Sequence, residues 1–166
     1  MERSLSRLLR QKKKNSQLYT VSIWDRLHGR PYFYQECQAP VRTAALSSDN
    51  RYLAYTMSSD EESLELVLID LKNNQKEEPI RLSLCAQGHI PVYLAFSPDN
   101  KVIAFCYQER GEAMQRIDLL SVPTLEHTGF ARFAGSNATG LSFTQDASHV
   151  AVSYKHLIKV FDRETI

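Results

Sequence analysis

Three stretches of this chain repeat one twelve-residue pattern: AALSSDNRYLAY at residues 44–55, LAFSPDNKVIAF at 94–105 and LSFTQDASHVAV at 141–152. Their aspartates, Asp49, Asp99 and Asp146, lie 50 and 47 residues apart. In each copy, apolar residues flank a short polar centre. Pro98 presets φ for a turn position, and Asp99 and Asn100 can bond their own backbone and tolerate the bent geometry, as can Asp49 and Asn50 without proline. The pattern therefore reads as two strands joined by a tight turn. The small residues Ala54, Ala104 and Ala151 that follow fit places where neighbouring sheets approach closely. Recurrence at this spacing implies a string of similar units, each relying on its neighbours to bury its faces.

The residues between the copies complete the units. Leu18-Tyr19-Thr20-Val21-Ser22-Ile23-Trp24 is β-branched and aromatic with apolar residues in alternation, and 32–37 makes a second strand after a turn over 25–31 that holds Gly29 and Pro31. Two four-strand units follow, at 42–47, 51–57, 64–70 and 79–84, then at 92–96, 101–107, 115–121 and 127–133. A last unit offers 140–143, 149–154 and 157–161. Four strands per period of about 50 residues is the signature of a β-propeller blade. The expected fold is all-β: propeller blades of four antiparallel strands, two complete and one partial at each end. A propeller of four blades has about 16 strands. The reading is thus of a partial propeller over 16–166, either part of a longer one or completed by a second copy or another protein.

Residues 1–15 differ from all that follows. Arg3, Arg7, Arg10, Lys12, Lys13 and Lys14 stand against Glu2, so this segment carries +5 and the rest of a chain of net charge +1 carries −4. Leu5, Leu8 and Leu9 fall at helical spacing, which predicts a short basic amphipathic helix or a tail. Such a segment suits nucleic acid or anionic lipid, but no stacking platform of aromatics accompanies it.

At 43% apolar residues in 166, the chain can bury a real core. A net charge of +1 argues against a surface built wholly for nucleic acid. Cys37, Cys85 and Cys106 are odd in number and far apart, unlike a secreted disulfide scaffold, and this points to the cytoplasm or nucleus. Neither they nor the five scattered histidines show metal-ligand spacing. There is no Gly-x-Ser-x-Gly elbow and no glycine-rich phosphate loop. No catalytic residue, metal or cofactor is expected.

Val21-Ser22-Ile23-Trp24-Asp25, followed by Leu27-His28-Gly29, resembles the end of a blade's third strand in the WD-repeat β-propeller family. Ile158-Lys159-Val160-Phe161-Asp162 and Leu68-Ile69-Asp70 are looser copies, Ser121 replaces the aspartate in the remaining unit, and Gly88-His89 resembles the family's Gly-His opening. The resemblance covers about residues 17–166. Its buried Asp, His, Ser and Trp set is complete in no single unit, so hydrophobic stacking is expected to hold these blades together. The resemblance implies a non-catalytic protein–protein interaction scaffold, with the partner left unidentified by the residues. The alternatives are the propeller portion of a hydrolase or transport-associated protein, and a lipid or RNA tether acting through residues 1–15. Loops on a rigid frame are where recognition usually sits. Candidate protein-binding residues are therefore Asp60, Glu61 and Glu62 in the loop 57–63, and Glu109, Arg110 and Glu112 in the loop 108–114. The turns 48–51 and 99–101 are the candidates near the other face.

Overall fold

The computed structural model describes residues 18–25, 27–58, 64–73, 78–84, 90–108, 114–135, 138–154 and 156–166. The predicted helix or tail over residues 1–15 and the Gly88-His89 pair lie outside the described residues. Those that are described form thirteen strands and no helix. Strands β1 (Tyr19–Asp25) and β2 (Arg30–Cys37) pair as a two-stranded sheet. Strands β3 (Val41–Leu46), β4 (Tyr52–Met57), β5 (Leu64–Asp70) and β6 (Ile80–Leu84) form a four-stranded meander. A second meander holds β7 (Ile90–Phe96), β8 (Val102–Gln108), β9 (Met114–Ser121) and β10 (His127–Ala134). The last sheet holds β11 (Ala138–Phe143), β12 (His149–Tyr154) and β13 (Leu157–Asp162). All pairings are antiparallel.

Every predicted strand is present, with ends shifted by a residue or two. Two-residue shifts fall at the starts of β2, β7 and β11, the first of them within the turn expected over 25–31. Strand β2 already starts at Arg30, and Pro31 pairs with Trp24 beside a register shift. A proline with no amide to donate is tolerated at such a bulged strand end.

The four sheets pack face to face in chain order. Leu53, Tyr55, Met57, Val67 and Ile69 of the second sheet meet Val21, Phe33 and Cys37 of the first. On its other face, Tyr52, Ala54, Leu66 and Leu68 meet Leu94, Ile103, Phe105, Tyr107 and Leu120 of the third. The third sheet then turns Val102, Ala104, Cys106, Ile117 and Leu119 toward Val150, Val152 and Tyr154 of the fourth. Alternate residues of one strand thus serve two cores, as the period of two requires. Strands β4 and β8, covered on both faces, are buried along their length up to the half-buried Gln108, whereas β12 alternates buried and half-buried residues. Ala54 and Ala104 are fully buried between sheets, and Ala151, on the outer face of the last sheet, is half-buried.

The repeated dozen makes the same turn three times. Ser47, Ser97 and Thr144 each donate a side-chain hydroxyl to the aspartate two residues on, at 2.6, 2.5 and 2.6 Å. Each aspartate accepts the amide two residues further along, from Arg51, Lys101 and Ser148. The Ser47 hydroxyl and the Arg51 amide hold Asp49 below the usual carboxylate range, and the Thr144 and Ser148 hydroxyls do the same for Asp146. The residue after each aspartate is left-handed: Asn50 and Asn100 at φ 57° and Ala147 at φ 60°. A Cβ there crowds the following carbonyl; asparagine offsets that cost by bonding the local backbone through its side chain, and alanine has no such bond to make. Ala147 is 4% exposed, so loss of its buried methyl offsets part of the relieved strain, and replacing it by glycine is expected to stabilise the protein by less than about 1 kcal/mol. A rise in the denaturant midpoint with an unchanged slope would show it, and a fall would place the strain elsewhere.

Candidate functional site

The structure places the sequence-derived candidates unevenly. Asp60, Glu61, Glu62, Glu109, Arg110 and Glu112 lie outside the described residues, as do Arg3, Arg7, Arg10, Lys12, Lys13 and Lys14. The turns 48–51 and 99–101 are described, and they join one sheet to the next. The Ser48 amide donates to Asn100 Oδ1 at 2.9 Å and its hydroxyl to the Pro98 carbonyl at 3.2 Å. Arg163 of the last sheet reaches Asp99 Oδ2 at 3.1 Å. The aspartates that end the third strand of a unit have a comparable local task. Asp25, Asp70 and Asp162 accept turn amides from Leu27, Lys72 and Glu164 at 2.8, 3.0 and 2.8 Å. Trp24 beside Asp25 is 60% exposed, its indole nitrogen donating to Ser22. Ser121, in the aspartate's place, bonds Thr124 ahead of a cis Val122–Pro123 bond.

A cleft that the sequence did not announce opens between the second and third sheets. Their first strands, β3 and β7, touch, as do β7 and β11. Each sheet fans outward from that contact with the twist of its strands. The gap of about 540 Å³ lies toward the later strands, lined by Leu64, Leu82 and Ser83 on one side and by residues of β8, β9 and the start of β10 on the other. That volume is in the range of small-ligand and peptide side-chain sites. Its walls are mainly apolar: Leu64, Leu82, Phe105, Leu120 and Leu125, with the Phe105 and Tyr107 rings stacked at 5.4 Å.

Against these walls sits an ion cluster. Asp118, only 3% exposed, accepts the Tyr107 hydroxyl on Oδ2 at 2.7 Å. On Oδ1 it accepts Arg116 Nε at 2.9 Å and Nη2 at 2.8 Å, and His127 Nε2 at 2.8 Å. With three donors on Oδ1 and one on Oδ2, Oδ1 is saturated and Oδ2 keeps one acceptor position. Because that carboxylate only accepts, His127 carries its proton on Nε2. The Arg116 guanidinium also lies 4.3 Å over the Phe130 ring. Asp118 is thus buried at a tolerable cost, neutralised by Arg116 and hydrogen-bonded on both oxygens. Its part is to fix the positions of Arg116, His127 and Tyr107, while the cleft offers a partner an apolar wall. The rim charge is different: Glu126 lines the cleft, is exposed, and has no cation paired with its carboxylate among the described residues.

Sequence reasoning read Arg116 and Asp118 only as members of a strand. The available signal was the alternation Arg116-Ile117-Asp118-Leu119, which puts both charges on one face of a strand bounded by apolar residues. Nothing in the sequence ties that face to Tyr107 or His127, because strand register supplies the contact.

Solved structures confirm the architecture. The Cps50 (Swd1) β-propeller domain of Myceliophteria thermophila superposes with a TM-score of 0.62 over 86% of this chain, at 18% identity. This chain has a β-propeller fold. The hydrazine synthase of Kuenenia stuttgartiensis superposes over 80% of the chain with a TM-score of 0.63, also at 18% identity. The propeller spans 45% of the first of those chains and 37% of the second. No family model and no curated protein matches its sequence.

Proposed function

We propose that this propeller is a non-catalytic protein–protein interaction scaffold of the WD-repeat type, working within a larger complex or a completed propeller ring, in the cytoplasm or nucleus. The observation that carries the reading is the state of the outer faces. Register puts Val160 opposite Ala151 and Ile158 opposite Ser153, so both side chains point away from the core of the last sheet, at 58% and 70% exposure. On the first sheet Ser22 pairs with Tyr34, and Trp24 and Tyr34 are similarly exposed. Rigid sheets that hold apolar side chains in water mark interaction surfaces. The WD-repeat assignment draws on the turn-capping aspartates Asp25, Asp70 and Asp162 and on the Trp24-Asp25 pair. The buried free thiols Cys37 and Cys106 fit a reducing compartment.

The test is association. In sedimentation velocity the purified chain should form larger species with rising concentration, or with its partner. Replacing Ile158 and Val160 together by lysine should abolish them, while changing stability by less than about 0.5 kcal/mol because neither side chain is buried. A chain that stays monomeric and soluble at all concentrations and unfolds cooperatively would count against the proposal.

A further inference from the structure

We infer that the cleft between the second and third sheets takes a basic side chain, lysine or arginine, from an extended segment of a protein partner. The inference rests on the reading of the propeller as an interaction module and adds the chemistry of what it binds.

The inner wall and the rim make different demands. Leu64, Leu120 and Leu125 are at most 5% exposed, and with Leu82 they give an aliphatic wall. An occupant gains by laying methylenes along it. The charge further in is already matched, since Arg116 pairs with Asp118, and Tyr107 and His127 bond the same carboxylate. A cation that entered fully would be desolvated beside the like charge of Arg116. At the mouth stands Glu126, whose backbone is pinned by the bond from the Ser121 amide to its carbonyl at 2.8 Å. Among the described lining residues, Arg116 and Asp118 cancel and Glu126 leaves a charge of −1. Lysine and arginine meet both demands, burying an alkyl stem while the cation stays at the rim. A leucine would use the wall and leave Glu126 unused. An acidic side chain would meet like charge. The cleft, at about 540 Å³, also has room for the neighbouring residues of such a segment.

The probe is the capped pentapeptide Gly-Leu-Lys-Leu-Gly, titrated into the isotopically labelled full chain and followed by amide chemical shifts. The expected result is saturable shifts at Leu82, Leu120, Leu125 and Glu126, with the lysine-to-glutamate peptide producing none. Glu126→Gln should weaken the lysine peptide about three- to fivefold, the scale of a rim ion pair, and added salt should do the same. Glu164→Gln, at an exposed position on the last sheet, should leave affinity unchanged. Equal binding of the lysine and glutamate peptides would overturn the inference, as would shifts confined to residues away from the cleft. If the cleft shifts appear only after Arg10, Lys12, Lys13 and Lys14 are replaced by glutamine, the occupant is the chain's own basic segment, and the partner is overturned. Failure at the cleft combined with loss of association in the Ile158 and Val160 variant would reject this site and leave the scaffold proposal standing.

Discussion

Replacing Ile117 by alanine should destabilise the protein by about 2–5 kcal/mol. Ile117 has no exposed surface and lies in the core between the third and fourth sheets, against Val150, Val152 and Phe133. Removing its methyl groups loses their transfer free energy and leaves a cavity that the two packed sheets cannot readily close, because their backbones are held by the pairing ladders. Ile103 is equally buried but faces the second sheet, so Ile103→Ala should cost a similar amount through a different core. The pair separates two modes of unfolding. In a cooperative propeller both variants lower a single denaturant midpoint together. In a quasi-linear stack the Ile117 variant would first release the last sheet, visible as early exchange of β11–β13 amides. An Ile117→Ala variant within about 0.5 kcal/mol of the parent would mean that this interface is not a core.

The second large effect is at Asp118. Asp118→Ala should cost about 2–4 kcal/mol, because it removes the buried carboxylate that pairs with Arg116 and accepts the Tyr107 hydroxyl and His127. Arg116 retains some solvent access at 21% exposure, which keeps the cost below that of a fully buried pair. Tyr107→Phe removes one neutral donor to the same carboxylate and should cost only about 1 kcal/mol. The two changes share a contact, so the double variant should be less destabilised than the sum of the singles. Chemical denaturation of the four proteins measures the coupling. Strict additivity would show that the 2.7 Å bond contributes nothing to stability.

The repeated dozen carried most of the fold in its own residues. Each copy holds a hydroxyl, an aspartate two places on and apolar strands on either side, and the resulting turn depends on contacts within five residues. Local hydrogen bonding of that kind survives any arrangement of the rest, so thirteen strands and their grouping into sheets were legible. The exception inside the pattern is Ala147, which occupies the left-handed position without asparagine's tolerance of it, held by the turn around it. Loops on a rigid frame are candidates for recognition, but the two turns that are described, 48–51 and 99–101, bond to neighbouring sheets. Asn100 reaches Ser48 across 52 residues of chain, a distance no local pattern encodes.

What the sequence determined by itself is therefore the unit: two strands, a capped turn, two more strands, and the apolar alternation that makes both sheet faces available for packing. Which of those faces are covered was decided by the tertiary structure. Val150 and Val160 are the same residue in neighbouring strands, yet Val150 is fully buried and Val160 is 58% exposed, because one points into the third sheet and the other away from it. The cleft has the same origin. Arg116, Asp118, Tyr107 and His127 meet because β8, β9 and β10 pair in one register, and room remains beside them because the second and third sheets splay beyond their first strands. Side-chain identity sets what a surface can bind, but only the stacking of twisted sheets decides which surfaces remain to bind it.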